Sequence, residues 1–269
     1  AGEGLELPIS TDHNHHADYR PYQEAAGANA FFTTVIGNEV TTKVGHFNAF
    51  PIRKGAPLPN HETANWAELF KSIRSIPGVE VILLNHPRNV HSNFSPTDPA
   101  HFHRVTGESK REGSLEMDAI EVITSAALQA DYMGPFQDWF ALLNSGHRVT
   151  AAGSSDTHDV NRYILGQGRT YLRCPDNEPA KIDVGAACRA FREDWEQRQK
   201  ACVGKACNEH ADDGCGRDFI HSAYRKRRRI RRRGLNGARP QVWPSAAKAS
   251  GSFGDSPVSA TINAASSFW

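Results

Sequence analysis

The alternation of apolar and polar positions divides the first two thirds of the chain into short extended runs and amphipathic helices. Leu5–Ile9 and Phe31–Ile36 are apolar and β-branched runs that read as strands, the second stopped at Gly37, with a short helix predicted over residues 20–29 between them. Trp66, Leu69, Phe70, Ile73 and Ile76 recur at helical spacing between residues 61 and 76, so this stretch is a helix that lays one apolar face on a sheet and stops at Pro77-Gly78. Val79–Leu84 is almost continuously apolar, the pattern of a strand buried on both faces of a parallel sheet. Residues 89–114 are polar and read as a long surface excursion. Met117–Ile123 is a further strand, and Gly134-Pro135 opens a helix in which Phe136, Trp139, Phe140 and Leu143 share a face before Gly146 closes it. Arg148–Gly153 and Arg169–Arg173 are the last strands, and a helix over residues 180–195 follows them.

Strand and helix thus alternate, the mark of a β/α protein, and polar clusters fall where its strands end. The first is Ser10-Thr11-Asp12-His13-Asn14-His15-His16. Asn38-Glu39 with Gly45-His46-Phe47-Asn48 forms the second, and Asn85-His86-Pro87-Arg88 the third. The fourth is Ser154-Ser155-Asp156-Thr157-His158-Asp159, where Asp156 and His158, two apart in an extended segment, can face one metal. Any one of these residues has a plain explanation as a surface His, a capping Asp or a satisfied core Glu. Six of them at four successive strand ends, His13, Glu39, His46, His86, Asp156 and His158, point to a metal site. Imidazole with carboxylate suits Zn²⁺, Mn²⁺ or Fe²⁺ better than Ca²⁺ or Mg²⁺.

Length and charge refine this picture. A chain of 269 residues can bury one sizeable core with an appendage. Residues 196–269 carry 14 Lys and Arg against 6 Asp and Glu, a net of +8, so residues 1–195 are left at −7. An acidic, His-rich body suits cations better than nucleic acid. No run of 18 apolar residues spans a membrane. The chain opens at Ala1 with no targeting signal, and the five cysteines, at 174, 188, 202, 207 and 215, form no disulfide framework. The compartment stays open, cytoplasmic by default, and the partner is a small-molecule substrate.

These motifs, Thr11-Asp12-His13-Asn14, Gly37-Asn38-Glu39 with Gly45-His46-Phe47-Asn48, Asn85-His86-Pro87-Arg88 and Ser155-Asp156-Thr157-His158, resemble in order and spacing those of the PHP (polymerase and histidinol phosphatase) metallohydrolases. The Gly-His-Phe-Asn form is most similar to the CehA/McbA branch, and the resemblance covers roughly residues 4–192. It implies a distorted (β/α)7 TIM-like barrel with two or three divalent ions, Zn, Mn or Fe, at its mouth. Glu39 would bridge two of them, His46 and His86 would complete one, and His13, Asp156 and His158 would hold the others. Asp12 would orient a ligand from behind, and Arg88 and His15 would face substrate. The activity implied is hydrolysis of a phosphoester, carbamate or related small ester by a metal-bound hydroxide.

The chain departs from the family at both ends. The opening His-x-His strand is missing, so residues 1–195 read as an N-terminally incomplete metallohydrolase domain that lacks its first strand and holds fewer metals. Residues 196–269 read as a basic, disordered or aberrant tail. Two further readings follow. One is a truncated, non-catalytic remnant that keeps a partial metal site. The other is nucleic-acid binding through Arg225–Arg233, a run with no interleaved aromatics. Cys202, Cys207, His210 and Cys215 fit no common zinc-finger spacing.

Overall fold

The structure is a computed structural model, and it describes residues 1–89, 93–111, 115–124, 131–159, 164–173, 178–193 and 264–265. In chain order the elements are β1 (Ile9–Ser10), α1 (Arg20–Ala25), β2 (Val35–Ile36), β3 (Asn38–Thr42), β4 (Gly45–Phe50), α2 (Trp66–Arg74) and β5 (Val81–Leu84). Then come β6 (Phe102–His103), β7 (Glu108–Ser109), β8 (Ala119–Ile123), α3 (Gly134–Asn144), β9 (Thr150–Gly153), a helix α4 over residues 184–193, and β10 (Ala264–Ala265).

The expected barrel is not what forms. Five strands make an open sheet in the order β3-β4-β5-β8-β9, and β1 lies between β2 and β10 in a small second sheet. The β3–β4 and β4–β5 pairs are antiparallel, whereas β5–β8 and β8–β9 are parallel. A (β/α) barrel needs parallel strands with a helix after each, yet the described residues contain four α-helices and a hairpin in place of one crossover. No helix among them is long and apolar enough to cross a membrane.

The hairpin has a local cause. Gly37 does end β2, but one residue later the chain continues as β3 and returns as β4. At Gly37 a Cβ would come within 2.8 Å of Ile9 Cγ2 and of Ser10 O, so only glycine lets this backbone press against β1. The path from β1 then continues beside β3, with the N–H of Gly37 donating to Ser10 O, Glu39 N–H to Asp12 O and Asn14 N–H to Glu39 O. His13 and Glu39 thereby form a parallel bridge.

Alternation along these strands sorts side chains to two faces. One face carries Val40, Phe47, Ala49, Ile82, Leu84, Ile120 and Val122, packed with α2 and α3 residues in a single apolar cluster. Asn65 caps α2 by accepting from the N–H groups of Ala67 and Glu68, and the helix buries Trp66, Leu69, Phe70 and Ile73, each contributing about 1.5–3 kcal/mol. The other face carries Phe50, Val81, Leu83, Ala119 and Ala152 against Cys188 and Phe191 of α4.

Three further expectations change. Residues 169–173 have no strand pairing: Thr170 joins β9 instead through its hydroxyl, which accepts from Gly153 N–H and donates to Gly153 O. The 89–114 stretch is not only a surface excursion, because its described part buries Phe94 and Phe102 in the core and pairs β6 with β7. Ala264 and Ala265 of the tail pair in parallel with Ile9 and Ser10, and the rest of that tail lies outside the described residues.

Candidate metal centre

The β3–β4 register builds the core of the site. Glu39 lies opposite Asn48 and Thr41 opposite His46, so Glu39 and His46 are diagonal neighbours on one face. His46 Nδ1 donates to Glu39 Oε1 at 2.8 Å, and His86 Nε2 reaches the same oxygen at 3.3 Å. His13 approaches from the β1 side, its Nδ1 3.6 Å from Glu39 Oε2. Ligand atoms of His13, Glu39 and His46 all lie within 4.8 Å of one another, the one such group among the described residues. The rings of His46 and His86 are 5.1 Å apart and those of His13 and His158 5.6 Å. His158 Nδ1 in turn lies 2.9 Å from Asp156 O and 3.6 Å from Asp156 Oδ1.

His86, Asp156 and His158 thus lie around the His13–Glu39–His46 group, the six side chains coming from four segments of the chain. The chain turns sharply to deliver them. Four described non-glycine residues have positive φ, and three stand at this site: Asn14 at 49°, His86 at 21° and Asp156 at 48°. Such backbone costs on the order of 1–3 kcal/mol per residue and gathers at functional sites.

Electrostatics bind the group together. Burial alone would raise the Glu39 carboxyl, but hydrogen bonds from His46 and His86 and the charges of His86 and His13 outweigh it and hold it well below the usual range. Burial would lower His86, yet Glu39, with Glu121 and Asp156 behind it, pushes it up to about 9. Asp156 is raised, chiefly by burial. Glu39 is fully buried, and its Oε2 has no hydrogen-bond partner. An orphaned carboxylate oxygen among imidazoles fits a divalent cation in charge and in donor type. His13, with 37 % of its side chain exposed, opens the centre to solvent.

The other candidates fare differently. Asp12 is buried, accepts from the Tyr19 hydroxyl at 2.9 Å and bonds Glu39 N–H through its carbonyl, so it supports the segment that carries His13. His15 is exposed beside the cluster. Arg88 does not face it. Its guanidinium forks onto Asp138, Nε to Oδ2 at 2.9 Å and Nη2 to Oδ1 at 3.0 Å, and also reaches Gly134 O at 3.1 Å, which ties the loop after β5 to α3.

Sequence reasoning missed Glu121. It is the acid of β8, 1 % exposed, and its Oε2 accepts from His86 N–H. Burial pushes its carboxyl up to about 8. The signal was a lone Glu inside the apolar run Ala119–Ile123. Asn48, across from Glu39, was quoted only as part of a motif; it is fully buried, with neither amide atom partnered.

With this geometry in view, no family model, no curated protein and no solved structure matches the chain.

Proposed function

We propose that the chain is a divalent-metal-dependent hydrolase acting on a phosphoester or a related small ester or carbamate. The observation that carries this reading is the buried Glu39 carboxylate, ringed by His13, His46 and His86 with no hydrogen bond to its Oε2. The likeness of its motifs to those of PHP metallohydrolases points the same way.

His13, Glu39 and His46 would hold the ion, with His86, Asp156 and His158 beside them for it or for a second. A bound cation supplies Lewis acidity toward a substrate oxygen and lowers the pKa of a water. The chain's own residues do the rest. Glu39, held ionised, supplies the charge that attracts the cation into a buried position. His86, pushed up to about 9 beside Glu39, must lose its extra proton before it can bind a cation, so loading there releases a proton. Exposed His13 leaves the side from which a small substrate enters.

The test is titration of chelator-stripped full-length protein with Zn²⁺ and Mn²⁺ by calorimetry, followed by hydrolysis assays on phosphomonoesters, phosphodiesters and aryl esters. Wild type binds and turns over at least one class. Glu39→Gln loses affinity by more than the roughly 10–100-fold that outer-shell changes cost. Binding without turnover would leave the non-catalytic reading in its place, and no binding would end the metal reading altogether.

A further inference from the structure

The end of β5 raises a question of geometry. Asn85 N–H still bonds His46 O, but the next donor in the ladder, His86 N–H, has no strand carbonyl to meet. The Glu121 carboxylate, reaching over from β8, accepts it instead. His86 is also where the backbone swings to φ +21°, a conformation that a side chain with a Cβ rarely adopts. One turn later its carbonyl accepts from Asn89 N–H.

Glu121 lies on the face of β8 that carries Ala119, and it is flanked in sequence by Ile120 and Val122, which point into the opposite core. A carboxyl is an expensive group to bury there, and this one accepts from a backbone N–H. What distinguishes that N–H is its residue: His86, whose ring sits on Glu39 Oε1. Removing the acceptor leaves a buried N–H unmet at a strained residue, the one whose imidazole sits on Glu39.

We propose that Glu121 is a positioning residue of the metal centre, its carboxyl clamping the His86 backbone in the left-handed conformation that turns the imidazole onto Glu39. The proposal rests on the metal-site reading above. It makes Glu121 act through His86 and not as a ligand, so the two possibilities part under substitution. Glu121→Gln keeps an acceptor oxygen at the same reach, whereas Glu121→Leu keeps the volume and removes it.

The experiment uses full-length protein and two measurements. Zn²⁺ affinity by calorimetry is expected to fall about 10–100-fold in Glu121→Leu and to stay within about threefold of wild type in Glu121→Gln. Val122→Ala, a core change on the same strand facing the other cluster, serves as the control for general destabilisation and leaves affinity unchanged. Second, amide exchange of His86 in metal-free protein is slow in wild type and in Glu121→Gln and fast in Glu121→Leu. This second measurement also decides the clamp should wild type bind no metal, an outcome that removes the hydrolase reading alone. A Glu121→Leu variant with wild-type affinity and a protected His86 amide overturns the proposal, as does a Glu121→Gln variant that loses affinity as heavily as Glu121→Leu. If Glu121→Leu does not fold, an unprotected His86 amide in folded wild type or Glu121→Gln overturns it, and protection in both upholds it.

Discussion

The two faces of the five-stranded sheet are drawn from the same strands at alternate residues, and they differ in almost every property. On one, Val40, Phe47, Ala49, Ile82, Leu84, Ile120 and Val122 meet α2 and α3 and share the surface with two uncharged polar side chains, Thr42 and Asn38, the latter's amide atoms also without partners. On the other, Leu83 and Ala119 share the surface with Glu39, His46, Asn48 and Glu121, and the buried Glu39 Oε2 and both Asn48 amide atoms lack partners. Each unmet buried polar atom costs on the order of 1–3 kcal/mol. The first face therefore offsets what the second gives up, and the sheet can keep a poorly satisfied, charge-bearing surface because its reverse is closely packed. Stability and chemistry should accordingly separate under mutation.

Phe70→Ala tests the separation most severely. Phe70 is fully buried and lies edge-on to Phe47 at 5.3 Å and near Trp66 at 5.7 Å, so its truncation should cost about 3–5 kcal/mol in urea unfolding. Under native conditions the folded fraction should bind Zn²⁺ as wild type does. A parallel collapse of affinity in protein shown to be folded would mean the faces are coupled.

The reverse face should betray itself through pH. Glu121 is raised from 4.5 to about 8 and His86 from 6.5 to about 9, so in both cases the folded state holds the proton more tightly than the unfolded chain. Stability from His86 is complete below 6.5 and is lost as pH rises through about 9. For Glu121 the loss runs from 4.5 to about 8, the same direction. Depressed Glu39 acts in a different window, its contribution vanishing only as pH falls below the ordinary 4.5. With chelator present, stability should decline steadily between pH about 5 and about 9, while Zn²⁺ affinity climbs over the same range as protons cease to compete. Urea midpoints that stay level across that range would contradict the charge arrangement described for this face.

How much of this was legible beforehand differs between the faces as well. The apolar one was readable, because Trp66, Leu69, Phe70 and Ile73 announce a helix by spacing and Val79–Leu84 announces a buried strand. On the polar one, the six candidate ligands were readable as acids and imidazoles near strand ends, and they do meet. Their scaffold was not. Gly37 does end β2, but the paired strands directly after it were not read, so Glu39 and His46 were assigned to a strand end when they lie within the β3–β4 hairpin, and an antiparallel pair was mistaken for part of a barrel. Glu121 was invisible because one acid in an apolar run carries no mark of which way it points. Adjacency also misled at Arg88: two residues after His86, the positive φ of His86 has already turned the chain toward α3.

Arg88 carries the smallest expected effect. Its partner Asp138 is fully buried yet also accepts from Arg104 Nε at 3.0 Å, so Arg88→Ala leaves that carboxylate with one guanidinium and not with none. Because Arg88 is itself 27 % exposed, its charge is partly hydrated and the loss should be about 1–2 kcal/mol, below the value for stripping a buried ion of its last partner. Arg88→Lys should recover only part of it, since an ammonium cannot fork across both Asp138 oxygens. Zn²⁺ affinity, and KM for any ester that is turned over, should be unchanged in both variants. A rise in KM with the unfolding midpoint intact would reverse the assignment: Arg88 would then belong to the polar face as a substrate contact, and its grip on Asp138 would be incidental.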